Sequence, residues 1–188
     1  MKPMRVAVYG WILGTMGWPP NGSVGAACAE TNPFPCGQCT AVAYGYWVDV
    51  FGQTGPPSFR AARYWYDDAP VFGFSRGRQA RPQSLLVLDA WPKHSMGHVA
   101  VVWQRIPGWY GDWELLWLVL GNWSPRTDGI CGAPPRSDWF AYNPQTRTVK
   151  YWNGASWSQH YPVKGFVYPK PAAALAGRSA EATGRRRG

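Results

Sequence analysis

One change in the spacing of the apolar residues constrains the fold of this chain more than any other feature. From Cys39 to Phe51 apolar side chains recur at helical spacing, which predicts an amphipathic helix that ends at Gly52. Beyond residue 84 the apolar residues fall in short runs separated by turn signals, which predicts β-strands. We therefore expect an α+β domain in which N-terminal helices pack on an antiparallel sheet.

The second half of the chain supplies the predicted strands, with turn residues between them. Pro107-Gly108 predicts a turn, and Asn153-Gly154 is typical of a β-hairpin. The predicted elements after the first helix are a second helix at 59–67 and strands at 84–89, 99–103, 115–120, 139–142, 148–152 and 156–160.

The chain of 188 residues divides into three segments by composition. Residues 30–169 hold the apolar patterns and form the predicted core domain. Residues 1–29 combine a basic start, an apolar run too short to cross a bilayer and a small-residue Ala27-Cys28-Ala29 site. They are either a weak secretory signal peptide or an N-terminal arm. Residues 170–188 are small, polar and basic, which predicts a disordered tail.

Charge and aromatic content limit the partners of this protein. The net charge is +9, which favours polyanions such as nucleic acid, anionic lipid or the acidic groups of a cell wall. Charged residues are only 15% of the chain while Trp numbers 13, a combination that suits stacking against sugars or packing in a small β-rich core. Nucleic acid is the weakest of these candidates, because the argument for it rests only on the basic tail.

Cys39 and His98 are the candidate nucleophile and general base. Cys39 begins the first predicted helix, where free main-chain N–H groups and the helix dipole favour a thiolate. His98 heads a predicted strand, and Gly97 before it allows close approach. A thiol with an imidazole to accept its proton is the minimum for nucleophilic catalysis by cysteine.

The cysteines allow other interpretations. Cys36 and Cys39 form a Cys-x-x-Cys pair, which elsewhere indicates a redox motif or half of a zinc site, to which Cys131, His94 and His98 would add ligands. We favour the nucleophile and predict no metal, because no other residues have tight ligand spacing. With Cys39 free, at most one disulfide forms among the remaining three cysteines, and if residues 1–29 are removed the candidate pair is Cys36 with Cys131.

The motifs around these two residues resemble the CHAP family of cysteine- and histidine-dependent amidohydrolases/peptidases, in the papain-like superfamily. The specific parts are Gly37-Gln-Cys-Thr40 and Gly97-His-Val-Ala100. Weaker similarity in 63–65, 82–85 and 165–169 extends the resemblance over roughly residues 30–169. It implies a papain-like fold of the CHAP and NlpC/P60 type, with 165–169 as the closing strand.

The resemblance also implies roles for further residues. Gln38 would contribute to an oxyanion hole, and Asn122 would orient the imidazole of His98. Trp123 and Trp65 would bind substrate. Family members commonly carry an acid two residues before the asparagine, whereas this chain has Leu120, and the nearby acids are Asp112, Glu114 and Asp128.

The function implied is hydrolysis of amide bonds in bacterial peptidoglycan, as an N-acetylmuramoyl-L-alanine amidase or an endopeptidase. The alternative is a catalytically impaired module that binds wall or glycan, which the missing acid and the aromatic-rich hairpins between Trp139 and Tyr161 favour. We expect a monomer without cofactor or membrane span, secreted or associated with the cell wall, or encoded by a phage as an endolysin.

Overall fold

The computed structural model describes residues 30–53, 55–92, 94–123, 131 and 135–171. Its helical part is small. Helix α1 is followed directly by a π-helical segment, and a 3-10 turn leads into a one-turn helix, α2. The bounds are α1 Cys39–Gly45, π-helix Tyr46–Val50, 3-10 turn Ala62–Tyr64, α2 Trp65–Asp68, β1 Ser75–Gly77, β2 Leu85–Leu88, β3 His98–Tyr110, β4 Trp113–Leu120, β5 Arg136–Asn143, β6 Thr148–Tyr151 and β7 Tyr161–Tyr168.

The strands form one antiparallel sheet that closes on itself. Its order is β1-β7-β2-β3-β4-β5-β6, and β6 also pairs with β7. Strands β2 to β7 therefore make a small barrel, with β1 added at the outside edge of β7. The predicted α+β class with an antiparallel sheet is confirmed in this coarse form, but strands dominate it and the helices cover only part of the sheet.

Alternating side chains along the strands build two cores, one on each face of the sheet. On β3, Val99 and Val101 face outward to α1 and the π-helix, where Ala41 and Trp47 are fully buried. The side chains between them point into the barrel. That inner core holds Ala100, Val102, Leu116, Leu118, Leu120, Phe140 and Phe166. Burial on both faces makes β2 and the first half of β3 continuous apolar runs rather than alternating ones.

The turn predicted at Pro107-Gly108 is wrong. Strand β3 continues through both residues to Tyr110, and the chain reverses at Gly111-Asp112 instead. The pairing of β3 with β4 shifts register between Ile106 and Tyr110. This irregularity accommodates a proline that has no N–H and a glycine with φ of 62°.

Two further element predictions need correction. The second helix begins at Ala62 and not at residue 59. The strand predicted at 156–160 is reduced to an isolated bridge between Trp152 and Trp157. The Asn153 side-chain oxygen accepts the main-chain N–H groups of Ala155 and Ser156, so this segment forms a tight turn where a longer hairpin was expected.

The division into three segments stays a prediction, because residues 1–29 and nearly all of the tail lie outside the described residues. Within the described part, no helix has the length and apolar character that crossing a membrane requires.

Candidate active site

Cys39 is the first residue of α1, and a compact turn sets its position. The N–H of Gln38 donates to the carbonyl oxygen of Pro35 at 3.2 Å, and Gly37 has a φ of 80° that favours glycine. Cys36 in this turn forms a disulfide with Cys131, which leaves Cys39 as the free cysteine among the described residues. Because the sulfur of Cys36 is bonded elsewhere, Cys36 and Cys39 do not act together as a redox or metal pair.

His98 is the first residue of β3, and Gly97 permits the chain to reach it. Gly97 has a φ of 68°, and a Cβ at this position would lie 2.5 Å from the carbonyl oxygen of Leu88 and 2.7 Å from the Cβ of Arg63. Both the conformation and the lack of space require glycine. The close approach that the sequence predicted at Gly97 is therefore made by two parts of the protein itself, the backbone of Leu88 and the side chain of Arg63.

Cys39 and His98 line one open cleft of about 400 Å³. The walls come from the turn before α1, the segment before α2, the loop before β3 and Asn122 after β4. Main-chain hydrogen bonding at Val99, the residue after His98, acts on the Cys39 sulfur. The lining residues are Gln38, Cys39, Thr40, Ala61, Ala62, His94, Ser95, Met96, Gly97, His98 and Asn122.

Burial drives the pKa values of the two groups in opposite directions. Desolvation raises the pKa of the Cys39 thiol to about 11, although main-chain hydrogen bonds at Val99, Thr40 and Cys39 itself act in the other direction. Desolvation, with a smaller contribution from the charge of His94, lowers the pKa of His98 to about 3. Both groups are thus uncharged at neutral pH, opposite to the thiolate expected from the helix N-terminus.

The far side of the imidazole has an apolar environment. His98 is 5% exposed, and its Nε2 atom has no hydrogen-bond partner among the described residues. The ring of Trp123 lies edge-to-face with it at a centroid distance of 5.0 Å. Leu120, where family members commonly carry an acid, is buried in the inner core. A charged imidazole would therefore lack the acceptor that normally stabilises it.

Asn122 lies in the cleft but makes a different bond from the one expected. It has a φ of 56°, in the left-handed region that asparagine tolerates, and its Nδ2 donates to the side-chain oxygen of Gln38 at 3.0 Å. The structure therefore joins Asn122 to Gln38, across the cleft from β4 to the start of α1. An interaction between Asn122 and His98 stays a prediction.

The two tryptophans predicted to bind substrate differ in position. Trp123 is partly exposed beside His98 and also contacts Phe140 and Tyr161. Trp65 is completely buried in the outer core, and its Nε1 donates to the carbonyl oxygen of Arg60. Because its ring has no exposed face, Trp65 is part of the packing beneath the cleft, and direct contact with a substrate is not open to it.

The loop before β3 forms a wall of the cleft that was not predicted from the sequence. Its His94 stacks on Trp91 at a centroid distance of 4.6 Å, and the two residues exchange main-chain hydrogen bonds. Arg63 holds the loop from the other side: its N–H donates to the carbonyl oxygen of Met96 and its Nη1 to that of Ser95, each at 3.0 Å. The signal available in the sequence was the spacing of His94 and His98, which lie four residues apart at the start of a predicted strand.

A free thiol and an imidazole in one cleft are typical of proteins that catalyse acyl transfer through cysteine. Residues 29–110 match the family model described as the CHAP domain, a range that contains both Cys39 and His98. This match confirms the resemblance predicted from the sequence. No curated protein matched the chain.

Three solved structures are similar to this protein at low sequence identity. An N-acetylmuramoyl-L-alanine amidase from Staphylococcus aureus is 19% identical over 62% of this chain, with a TM-score of 0.45. Two structures of Ly7917, one of them with the hydrolysing product of MDP, are 13% and 14% identical over 80% and 79% of this chain, with TM-scores of 0.43 and 0.41. The chain spans 30% of the amidase and 63% and 61% of the Ly7917 chains.

Replacing Gly97 by alanine should cost more stability than the same change at Gly108. Both residues have positive φ, 68° and 62°, so each alanine is strained by about 1 kcal/mol. Only the Cβ at Gly97 meets other atoms, because nothing lies within 4 Å of the one at Gly108. We expect the free energy of unfolding, measured in urea, to fall by about 3 kcal/mol for Gly97→Ala and about 1 kcal/mol for Gly108→Ala. Equal losses would contradict the tight packing at Gly97.

The buried imidazole should make the protein sensitive to acid. The unfolded chain takes up a proton on His98 near pH 6.5, whereas the folded protein does so only near pH 3. The contribution of His98 to the free energy of unfolding is therefore fully present above pH 6.5. It falls by up to about 1.4 kcal/mol per pH unit as the pH drops toward 3. Urea denaturation at several pH values should show this slope as the difference between wild type and His98→Gln. Parallel profiles would show that His98 is solvated.

Proposed function

We propose that this protein is a peptidoglycan hydrolase that cleaves amide bonds with Cys39 as nucleophile and His98 as general base. The observation that carries the proposal is the placement of both side chains in one open cleft, within the range that matches the CHAP domain. The volume of the cleft, about 400 Å³, lies in the range that is typical of ligand-binding pockets.

The neutral state of both groups determines how the reaction would begin. With the thiol pKa near 11 and the imidazole pKa near 3, no ion pair forms in the free cleft. In our proposal His98 removes the thiol proton as the sulfur of Cys39 bonds to the substrate carbonyl carbon. His98 then gives that proton to the leaving amine, and a thioester remains on Cys39. Water, deprotonated by His98, attacks the thioester and restores the thiol.

Gln38 and Asn122 would support the charged intermediate of this reaction. The side-chain oxygen of Gln38 accepts a hydrogen bond from Asn122, which leaves the amide nitrogen of Gln38 as the donor toward an oxyanion. The main-chain N–H of Cys39 would be the second donor. Asn122 then acts as a positioning residue for Gln38, and its predicted role as acceptor for the imidazole remains a proposal.

A second function, binding of wall or glycan without turnover, is favoured by one observation. The Nε2 atom of His98 has no partner among the described residues, and Leu120 provides none. An imidazolium formed during catalysis would then be buried without an acceptor, which costs roughly 1–3 kcal/mol or more. The rate would be low even with the nucleophile and base in place.

The bond that is cut distinguishes two kinds of hydrolase. An N-acetylmuramoyl-L-alanine amidase releases the stem peptide from the sugar, whereas an endopeptidase cuts within the peptides. Mass spectrometry of fragments released from peptidoglycan of defined composition separates them, because only the amidase yields glycan free of peptide. In either case the protein acts at the bacterial cell wall.

Replacement of Cys39 by alanine should abolish hydrolysis of purified cell walls. We expect wild type to reduce the turbidity of a wall suspension and Cys39→Ala to do so at least 10³-fold more slowly, since no other nucleophile enters the proposed reaction. Cys39→Ser is the conservative control and should also be strongly impaired, because a hydroxyl is much harder to deprotonate. Equal clearing by wild type and Cys39→Ala would exclude Cys39 as nucleophile.

Leu120→Glu should raise the activity if the protein is a hydrolase that lacks a partner for its imidazole. The carboxylate would occupy the position where family members commonly carry an acid and would stabilise the protonated ring, so kcat should increase about tenfold or more and the pKa of His98 should rise. Leu120→Gln is the matched neutral variant and should give a smaller gain. Thermal unfolding of each variant checks that the fold survives, and a folded Leu120→Glu protein with unchanged activity would contradict this explanation.

A further inference from the structure

Four aromatic side chains form a row that begins where β3 finishes. We call this set, Tyr110, Trp109, Trp157 and Trp152, the distal aromatic row. Successive ring centroids are separated by 6.4, 5.4 and 5.4 Å, and neighbouring rings are tilted by about 60°. The two ends of the row are open: Tyr110 is 65% exposed and Trp152 is 37% exposed. Large aromatic rings are usually buried, so exposed ones at both ends of a connected row need an explanation.

The row is held in place before any ligand binds. Trp109 and Tyr110 belong to β3, and Trp152 and Trp157 are joined by the bridge that follows β6. The turn between these tryptophans is closed by hydrogen bonds from the N–H groups of Ala155 and Ser156 to the Asn153 side chain. Rings fixed in this way lose little conformational entropy on binding, which favours a recognition surface.

The distal aromatic row begins far from the cleft and approaches it at its other end. His98 begins β3 in the cleft, and Tyr110 ends the same strand of 13 residues. A strand of this length spans up to about 40 Å at the usual rise per residue. At the other end of the row Trp152 follows Tyr151, whose ring lies 5.9 Å from the ring of Trp123, the neighbour of His98. A ligand that contacts Tyr110 and the cleft at once must therefore be a long polymer.

The surroundings of the row indicate what kind of polymer it would bind. The Nζ atom of Lys150 lies 4.7 Å from the ring centre of Trp113, and His160 packs against the same ring at 5.8 Å. On the neighbouring surface Asp112 lies in the turn after β3, and Glu114 is paired with Arg105. Flat rings next to a basic side chain suit sugar rings that carry acidic substituents. A protein partner would be expected to cover a broader apolar surface without the polar turn at Asn153.

We propose that the distal aromatic row binds the glycan strand of peptidoglycan, with sugar rings stacked on the exposed faces of Trp152 and Tyr110 and acidic substituents near Lys150. The choice of this polymer rests on the proposed function. Binding at the row holds the insoluble substrate while the cleft engages a peptide farther along the wall. No chemical step occurs at the row.

The test is a binding measurement in the Cys39→Ala background, where no cleavage interferes. The probe is purified peptidoglycan stripped of teichoic acid, and bound protein is measured by sedimentation at high salt, which suppresses attraction by the basic tail. We expect Tyr110→Ala with Trp152→Ala to weaken binding at least tenfold. Tyr110→Phe with Trp152→Phe keeps the rings and should bind within about threefold of the Cys39→Ala parent.

Phe59→Ala is the matched control, since Phe59 is 63% exposed but packs on Phe34 and Phe72 away from the row. The proposal is overturned if the alanine double variant binds as tightly as the parent, if Phe59→Ala weakens binding equally, or if the parent binds a protein or teichoic acid but not peptide-free glycan strands. Loss of binding to those strands in the alanine double variant alone supports it. If the protein with Cys39 binds peptidoglycan but never cleaves it, the proposed function is contradicted, whereas the proposal that the distal aromatic row binds glycan still holds.

Discussion

Strand β3 is the element on which the rest of the structure depends. It pairs with β2 on one side and with β4 on the other, so it lies inside the barrel wall and its register is determined by both neighbours. Its alternating side chains contribute to both cores, and α1 packs on its outer face. Because the first residue of this strand is His98, the packing that stabilises the fold also places the imidazole in the same cleft as the thiol at the start of α1.

Desolvation dominates the chemistry of the cleft. A helix N-terminus favours a thiolate by at most about 1–2 kcal/mol, and α1 has only two turns to supply it. Removing a charge from water costs more than this, so the thiol of Cys39 and the imidazole of His98 are both neutral. Trp123 reinforces the effect, because its ring packs against the imidazole of His98. Any catalysis must therefore couple proton transfer to attack.

Several predictions from the sequence agree with the structure because they rest on local patterns. The helix start at Cys39 and the strands follow from apolar spacing and turn residues, which act over a few positions. The prediction at Pro107-Gly108 is wrong because β4 pairs with β3 on both sides of the irregularity and outweighs the local turn preference. His94 was not recognised because its contact with the cleft depends on a loop held by Trp91 and Arg63.

The sequence by itself determined the fold class, the candidate thiol and imidazole, and the family that their flanking residues resemble. These follow from residue type and short-range order. Only the tertiary structure decided that Cys36 bonds to Cys131, that Asn122 donates to Gln38 and that Trp65 is buried. It also decided the protonation states in the cleft and the arrangement of the distal aromatic row. These features depend on distances between residues that are far apart in the chain. They also depend on how much water is removed from around each group when the side chains pack.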